Sequence, residues 1–314
     1  MLVDTSVKIG KIKLQNPVMV ASGTFGYAEE FKDLIDLKKL GAVITKSVTL
    51  NPRQGNIPPR IWETTAGMLN AIGLQNEGVE DFIRTKLPYL KNIGIPVVVS
   101  IAGEKIEEYG RLAGLLDIAG VAGVEVNISC PNVGSPRHQV TSHKLFAQDA
   151  KAAAAVTKVV KKNTKKTVIV KLSPDVADIC EIAKAVEKAG ADAISVINTI
   201  RGMAVDIETQ KPRLGNITGG LSGPAIKPIA LRIVWETAKA VEIPVIGIGG
   251  IMTGQDAIEF LLCGAQAVQI GTANFVNPRA AIAAAEGIER YLQRKGFTRV
   301  RDIVGKLSTT VAEP

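Results

Sequence analysis

Eight short apolar runs, rich in Val and Ile, constrain this chain more than any other feature of its sequence. They occupy residues 18–21, 42–45, 97–99, 124–126, 168–170, 193–196, 245–247 and 267–270. Continuous β-branched runs of this length read as parallel strands covered on both faces. Between them lie amphipathic stretches such as 29–40, 144–161, 176–189, 225–241 and 278–294. Pro278 suits a first helical turn, and Gly41, Gly190 and Gly296 stand where helices would end. Strand and helix alternating eight times predict an α/β fold, a closed (β/α)8 TIM barrel, rather than an open sheet. A barrel of this kind accommodates all of residues 1–314 as one domain. Residues 3–14 alternate and turn at Gly10-Lys11, which predicts an N-terminal β-hairpin closing the bottom of the barrel. The connections after strands two and six, 48–76 and 200–223, are long, and long ordered loops in a compact domain are usually functional.

Composition narrows the class further. Aromatic residues are only 4% of 314, so the core must be aliphatic, and 46% hydrophobic residues argue against disorder. No apolar run reaches the roughly 20 residues that cross a bilayer, and the first residues lack a signal-peptide pattern. The three cysteines, Cys130, Cys180 and Cys263, are too few and too scattered for a disulfide framework or an iron–sulfur cluster. These features predict a cytoplasmic protein without a membrane span. The formal charge of +8 comes from dispersed lysines and arginines. Its densest cluster, 158–166, contains no aromatic residue and reads as a solvated face rather than a nucleic-acid surface.

A barrel places its reacting groups just after each strand. Those positions hold Ser22, Lys46-Ser47, Ser100, Asn127, Lys171, Asn198-Thr199, Gly249-Gly250 and Gly271-Thr272. A strand must end in something polar, which discounts the serines and glycines. Two lysines and two asparagines are harder to discount, since a buried lysine is costly unless it meets an anion or an acceptor. The glycines after strands seven and eight leave backbone N–H groups open to a phosphate. Gly247-Ile-Gly249 is not a dinucleotide fingerprint, because the third glycine position holds Met252. Cys130 leaves strand four into a loop with Asn127 and Asn132, where a thiol can act as base or nucleophile. Cys180 and Cys263 fit helical apolar stripes instead. With only His138 and His143, no Ser-His-Asp triad and no metal site is expected.

Taken together, these motifs resemble the catalytic subunits of class 1B dihydroorotate dehydrogenases. The resemblance runs through Ala21-Ser-Gly-Thr-Phe-Gly26, Thr45-Lys-Ser47, Asn51-Pro-Arg-Gln-Gly-Asn56 and Gly67-Met-Leu-Asn-Ala-Ile-Gly-Leu-Gln-Asn76. It continues with Asn127-Ile-Ser-Cys-Pro-Asn132, Val170-Lys-Leu-Ser-Pro174, Gly219-Gly-Leu-Ser-Gly-Pro224 and Gly247-Ile-Gly-Gly-Ile251. It implies FMN-dependent oxidation of dihydroorotate to orotate in pyrimidine (UMP) biosynthesis. It assigns FMN binding to Ser22, Lys46, Ser47, Ser100, Asn127, Lys171, Ile197, Gly223, Gly249, Gly250, Gly271 and Thr272. Dihydroorotate would meet Lys46, Asn70, Ala71, Ile72, Gly73, Leu74, Asn127, Asn198 and Thr199. Cys130 would take the C5 proton while hydride leaves C6 for flavin N5. Gly73-Leu-Gln-Asn76 resembles the class that passes electrons to NAD through a partner subunit carrying FAD and a [2Fe-2S] cluster, in a heterotetramer with two of each chain. Two alternatives stand beside this reading: a class 1A-like homodimer using fumarate, and a flavin-free barrel lyase acting on a phosphorylated substrate.

Overall fold

The computed structural model describes residues 3–132 and 145–309; His138 and His143 lie outside them. Eight parallel strands close into a barrel: β3 (Val18–Val20), β4 (Ala42–Ile44), β7 (Val97–Ile101), β8 (Gly123–Asn127), β9 (Thr167–Lys171), β10 (Ala193–Val196), β15 (Val245–Ile248) and β16 (Ala267–Ile270). Each pairs with its sequence neighbour in the barrel, and β16 pairs with β3 to complete the ring, Val268 opposite Val18. All eight predicted runs fall on these strands. Outward Val and Ile side chains such as Val43, Val99, Val124 and Val168 pack against the helices in the main aliphatic core.

A second cluster fills the barrel itself, with Met19, Ile44, Val98, Ile169 and Ile246 among its members. Its lower end is Ile9, Ile12 and Leu14. These come from the predicted hairpin, β1 (Val7–Ile9) and β2 (Ile12–Leu14), which pair antiparallel. Gly10 turns the hairpin at φ +56°, and a Cβ there would stand 2.7 Å from Thr167 at the lower end of β9. The backbone N–H of Lys11 donates to the Thr167 hydroxyl at 3.0 Å. The hairpin is therefore the floor of the barrel.

Helices Ile106–Leu115, Ala150–Asn163, Ile179–Lys188, Lys227–Ala240, Gly254–Leu262 and Ala280–Lys295 surround the strands. The last begins two residues after Pro278 and ends on Gly296 in the left-handed conformation. The helix expected at 29–40 does not form. Two 3₁₀ turns, Glu29–Phe31 and Leu37–Lys39, stand there instead. Asp36 breaks the run, its carboxylate accepting from the Lys38 N–H and starting a fresh turn. Gly78–Asp81, a π-helical turn Phe82–Lys86 and Leu87–Lys91 supply the helical part of the second β/α unit, between β4 and β7.

The two long connections are not irregular loops. Together they build an antiparallel four-stranded sheet, ordered β11 (Ile200–Met203), β14 (Thr218–Ser222), β6 (Gly67–Asn70) and β5 (Ile61–Thr64). Segments about 150 positions apart pair through Gly220 opposite Asn70 and Ser222 opposite Met68. This sheet flanks the carboxyl ends of the barrel strands and walls the site below. No helix among the described residues is long and apolar enough to cross a membrane.

Candidate active site

Two adjoining cavities open at the carboxyl ends of the barrel strands. The first is lined by Lys46, Ser47, Asn70, Ile72, Gly73, Leu74, Asn127, Cys130, Asn132, Lys171, Asn198 and Thr199 among others, with about 890 Å³ of space including its mouth. The second is lined by Ile197, Gly223, Gly249, Gly250, Gly271 and Thr272. Ser22, Lys171, Asn198 and Thr199 line both, so the two form one continuous cleft.

Two residues expected in the site stand outside it. Ser100 is fully buried inside β7, because that strand runs on to Ile101. It reaches the cleft only through its hydroxyl contact with Ser47, 2.8 Å. Ala71 is also fully buried and packs with Leu69 and Leu214 beneath the cover sheet, while its neighbours Asn70 and Ile72 face the cleft. Asn132, beside Cys130 in the loop after β8, also lines the cavity, and its amide donates to the Asn70 carbonyl at 3.0 Å. Met68 and Phe275 line it as well, and Ser222 lines the second cavity. Met68 and Ser222 lie within the motifs 67–76 and 219–224 without a role there, so only the fold brings these three to the cleft.

Hydrogen bonds fix the amide groups. The Asn127 amide donates to Ser47 at 3.2 Å, and its carbonyl oxygen accepts from Ser129 at 3.1 Å. The Asn198 amide donates to Ser129 at 2.9 Å, and the Asn198 carbonyl accepts from the Thr199 N–H at 2.7 Å. Asn70 donates to the Gly220 carbonyl at 3.3 Å, tying the site to the cover sheet. Four asparagines thus present both donors and acceptors to one cavity, the inventory that an amide-containing ring requires. Gly73 and Leu74 both adopt left-handed backbone, at φ +77° and +58°. Such a conformation at a non-glycine residue is uncommon and concentrates at ligand-binding segments.

The two ionisable groups of the first cavity respond to burial in opposite senses. Burial pulls Lys46 below the usual lysine value, while the Glu30 and Glu77 carboxylates partly restore it. Burial pushes the Cys130 thiol up; the Asn132 N–H and the positive charges of Lys171 and Arg53 act against that rise. Lys171 is almost fully buried and its ammonium donates to Ser22 at 3.3 Å.

In the second cavity the backbone itself forms the lining. Gly249 and Gly250 have φ +129° and +73°. A Cβ on Gly250 would stand 2.8 Å from the Lys227 backbone nitrogen, and one on Gly249 2.7 Å from Ala230. The following turn is held by Asp256, which accepts from the Met252 and Thr253 N–H groups at 3.0 and 2.8 Å and pairs with Lys227 at 2.6 Å. Thr272 donates to Ser222 at 2.7 Å across the same cavity. Bare N–H groups beside short hydroxyls suit a phosphate. Among the described residues, no group of His, Cys, Asp and Glu side chains could hold a metal ion.

A closed parallel barrel carrying an amide-rich cavity, a thiol and a glycine cradle at its strand ends has the build of a barrel enzyme for a small-molecule substrate. The chain belongs to the dihydroorotate dehydrogenase family, oxidoreductases whose family model matches residues 4–292. It is similar to relatives named "Dihydroorotate dehydrogenase B (NAD(+)), catalytic subunit". That of Geotalea uraniireducens (strain Rf4) is 55% identical, covering 98% of this chain and 99% of its own. Those of Geobacter sp. (strain M21) and Geobacter metallireducens (strain ATCC 53774 / DSM 7210 / GS-15) are each 56% identical, covering 97% of this chain and 98% of their own.

Proposed function

We propose that residues 1–314 act as one FMN-binding catalytic unit in the cytoplasm. It oxidises (S)-dihydroorotate to orotate in pyrimidine biosynthesis and passes the electrons to NAD through a partner subunit. The observation that carries this reading is the joining of the two cavities through Ser22, Lys171, Asn198 and Thr199. One half suits an anionic amide ring and the other a phosphate, so substrate and cofactor would meet over shared residues.

The cradle fits FMN's phosphate. Gly249 and Gly250 have no space for a side chain, and Gly223, with Gly271 and Thr272, continues the lining around them. Lys171, Ser22, Ser47, Ile197, Asn127 and Lys46 would hold the ring end; Ser100 supports Ser47 from behind. Bound there, FMN supplies the two-electron acceptor for hydride from C6. Lys46 pairs with the substrate carboxylate, and Asn70, Asn127, Asn198 and Thr199 orient the ring by donating and accepting hydrogen bonds. The segment Ile72–Gly73–Leu74 closes over it. Cys130 takes the C5 proton, which the neighbouring carbonyl acidifies, and alignment of the two C–H bonds is the protein's main contribution.

The reading extends to the partner because the relatives' name specifies an NAD(+) type and a catalytic subunit. A companion chain with FAD and a [2Fe-2S] cluster, two copies of each chain in all, would complete the relay. The test is direct. The purified chain should be yellow and release FMN on denaturation, and anaerobic dihydroorotate should bleach it. A colourless protein that dihydroorotate does not alter favours the flavin-free lyase, and rapid reoxidation by fumarate favours the class 1A-like homodimer.

A further inference from the structure

Directly beneath the cleft the aliphatic barrel interior gives way to a polar layer. Glu125, Ser195 and Gln269 project there from β8, β10 and β16, and each is fully buried. One carboxylate oxygen of Glu125, Oε2, accepts from the Gln269 amide at 2.7 Å and from the Ser195 hydroxyl at 3.2 Å. The other, Oε1, has no hydrogen-bond donor among the described residues and lies 3.9 Å from the Lys171 ammonium. Lys171 ends β9, opposite Asn127 on β8 and Ser195 on β10. It thus stands one layer above Glu125, which is opposite Ile169.

A carboxylate sealed inside a hydrocarbon barrel is costly unless a cation answers it. A lysine at the floor of a cleft has the same need. Two donors pin Oε2, which leaves Oε1 directed at the ammonium while Ser22 accepts from it on the cleft side. The arrangement holds Lys171 in place and also sets how much positive charge the cleft receives, since a paired ammonium projects a weaker field than a lone one.

We infer that Glu125 is the positioning residue of Lys171: held by Ser195 and Gln269, its buried carboxylate fixes the ammonium at the cleft floor and offsets part of its charge there. The inference deepens the proposed function and rests on it where flavin is concerned. A lone ammonium at the ring end favours the reduced, more negative flavin. Glu125 therefore holds the flavin's reduction potential below the value that unopposed Lys171 would impose.

Two measurements on the purified chain test this. The first is the flavin midpoint potential of wild type, Glu125→Gln, Lys171→Met and the double variant, equilibrated against reference dyes. Glu125→Gln should favour the reduced flavin about tenfold, about +30 mV for a two-electron couple. The shift should vanish in the Lys171→Met background. A fall in potential, or a shift of the same size without Lys171, overturns the inference. The second is thermal melting of the same four proteins, which needs no flavin. The double variant should melt above Glu125→Gln, because removing both charges leaves neither uncompensated. If Glu125→Gln is insoluble, adding Lys171→Met should restore soluble protein. A double variant no more stable than Glu125→Gln, or no recovery of solubility, overturns the pairing. If wild type carries no FMN, the proposed function fails while the melting cycle still decides the pair.

Discussion

At Cys130 and Lys46 burial acts on two groups whose proposed roles require opposite protonation states. A thiol accepts a proton only as thiolate, and burial raises this one above the ordinary value of about 8.5. Turnover should therefore climb with pH beyond that value, with little of the active form at neutrality. In its proposed role Lys46 would have to stay cationic to hold a carboxylate, and burial lowers it from the ordinary value of about 10.4. Affinity for dihydroorotate should therefore weaken on the alkaline side while kcat is still rising, a divergence that pH profiles of kcat and KM would reveal. Cys130→Ser should reduce kcat by about 10²–10⁴-fold with bound FMN unchanged; full turnover at neutral pH would assign the proton to another base. Lys46→Ala removes a charge-assisted contact of about 1.5–3 kcal/mol, so KM should rise roughly 10–100-fold. An equal loss of FMN would contradict its assignment to the carboxylate. Most residues of the cleft were legible because a barrel orders its strand ends into one ring. Glu125 was not, since it sits inside the run Val124-Glu-Val126 and its meaning depends on a lysine one strand away.

At the level of elements, the barrel strands were legible because each is a short, mainly apolar run covered on both faces, interrupted at most by single polar residues such as Glu125, Ser195 and Gln269. The cover sheet was hidden for the opposite reason. Its strands carry Gly67, Gly202, Gly219 and Gly220, follow no strict alternation, and become strands only by pairing across the chain. Close packing explains three of these glycines: a Cβ would run into the Ser222 carbonyl at Gly67, the Asn70 carbonyl at Gly219 and the Thr199 side chain at Gly220. The cradle obeys the same geometry. Gly250→Ala forces a left-handed alanine, roughly 1–2 kcal/mol, against the Lys227 backbone. The purified variant should lose FMN while its fold remains, which flavin absorbance per protein and circular dichroism would report. The floor hairpin tests the converse. Leu14 is 1% exposed and fills the barrel's lower end, so Leu14→Ala should cost about 2–5 kcal/mol in denaturant melts. The folded fraction should keep its flavin, because the floor and the cleft are at opposite ends of the strands.

For the whole molecule, what matters is where the electrons go after the substrate is oxidised. An iron–sulfur relay uses four thiolates or their equivalents at one point. This chain has three cysteines, carried by the loop after β8, the helix Ile179–Lys188 and the end of the helix Gly254–Leu262. Its glycine cradle lacks the third glycine of a dinucleotide fingerprint, Met252 standing there. On the proposed reading, one barrel orients a substrate and cradles one phosphate, and the remaining redox parts would fall to a second chain. The two halves of the reaction should therefore separate experimentally. Mixed anaerobically with dihydroorotate, the chain alone should bleach within its first turnover and then stop, with NAD reduced slowly or not at all. Adding the partner subunit should restore colour and drive NAD reduction in step with orotate formation. Rapid NAD reduction by this chain alone would place the relay within the barrel and overturn the division of labour.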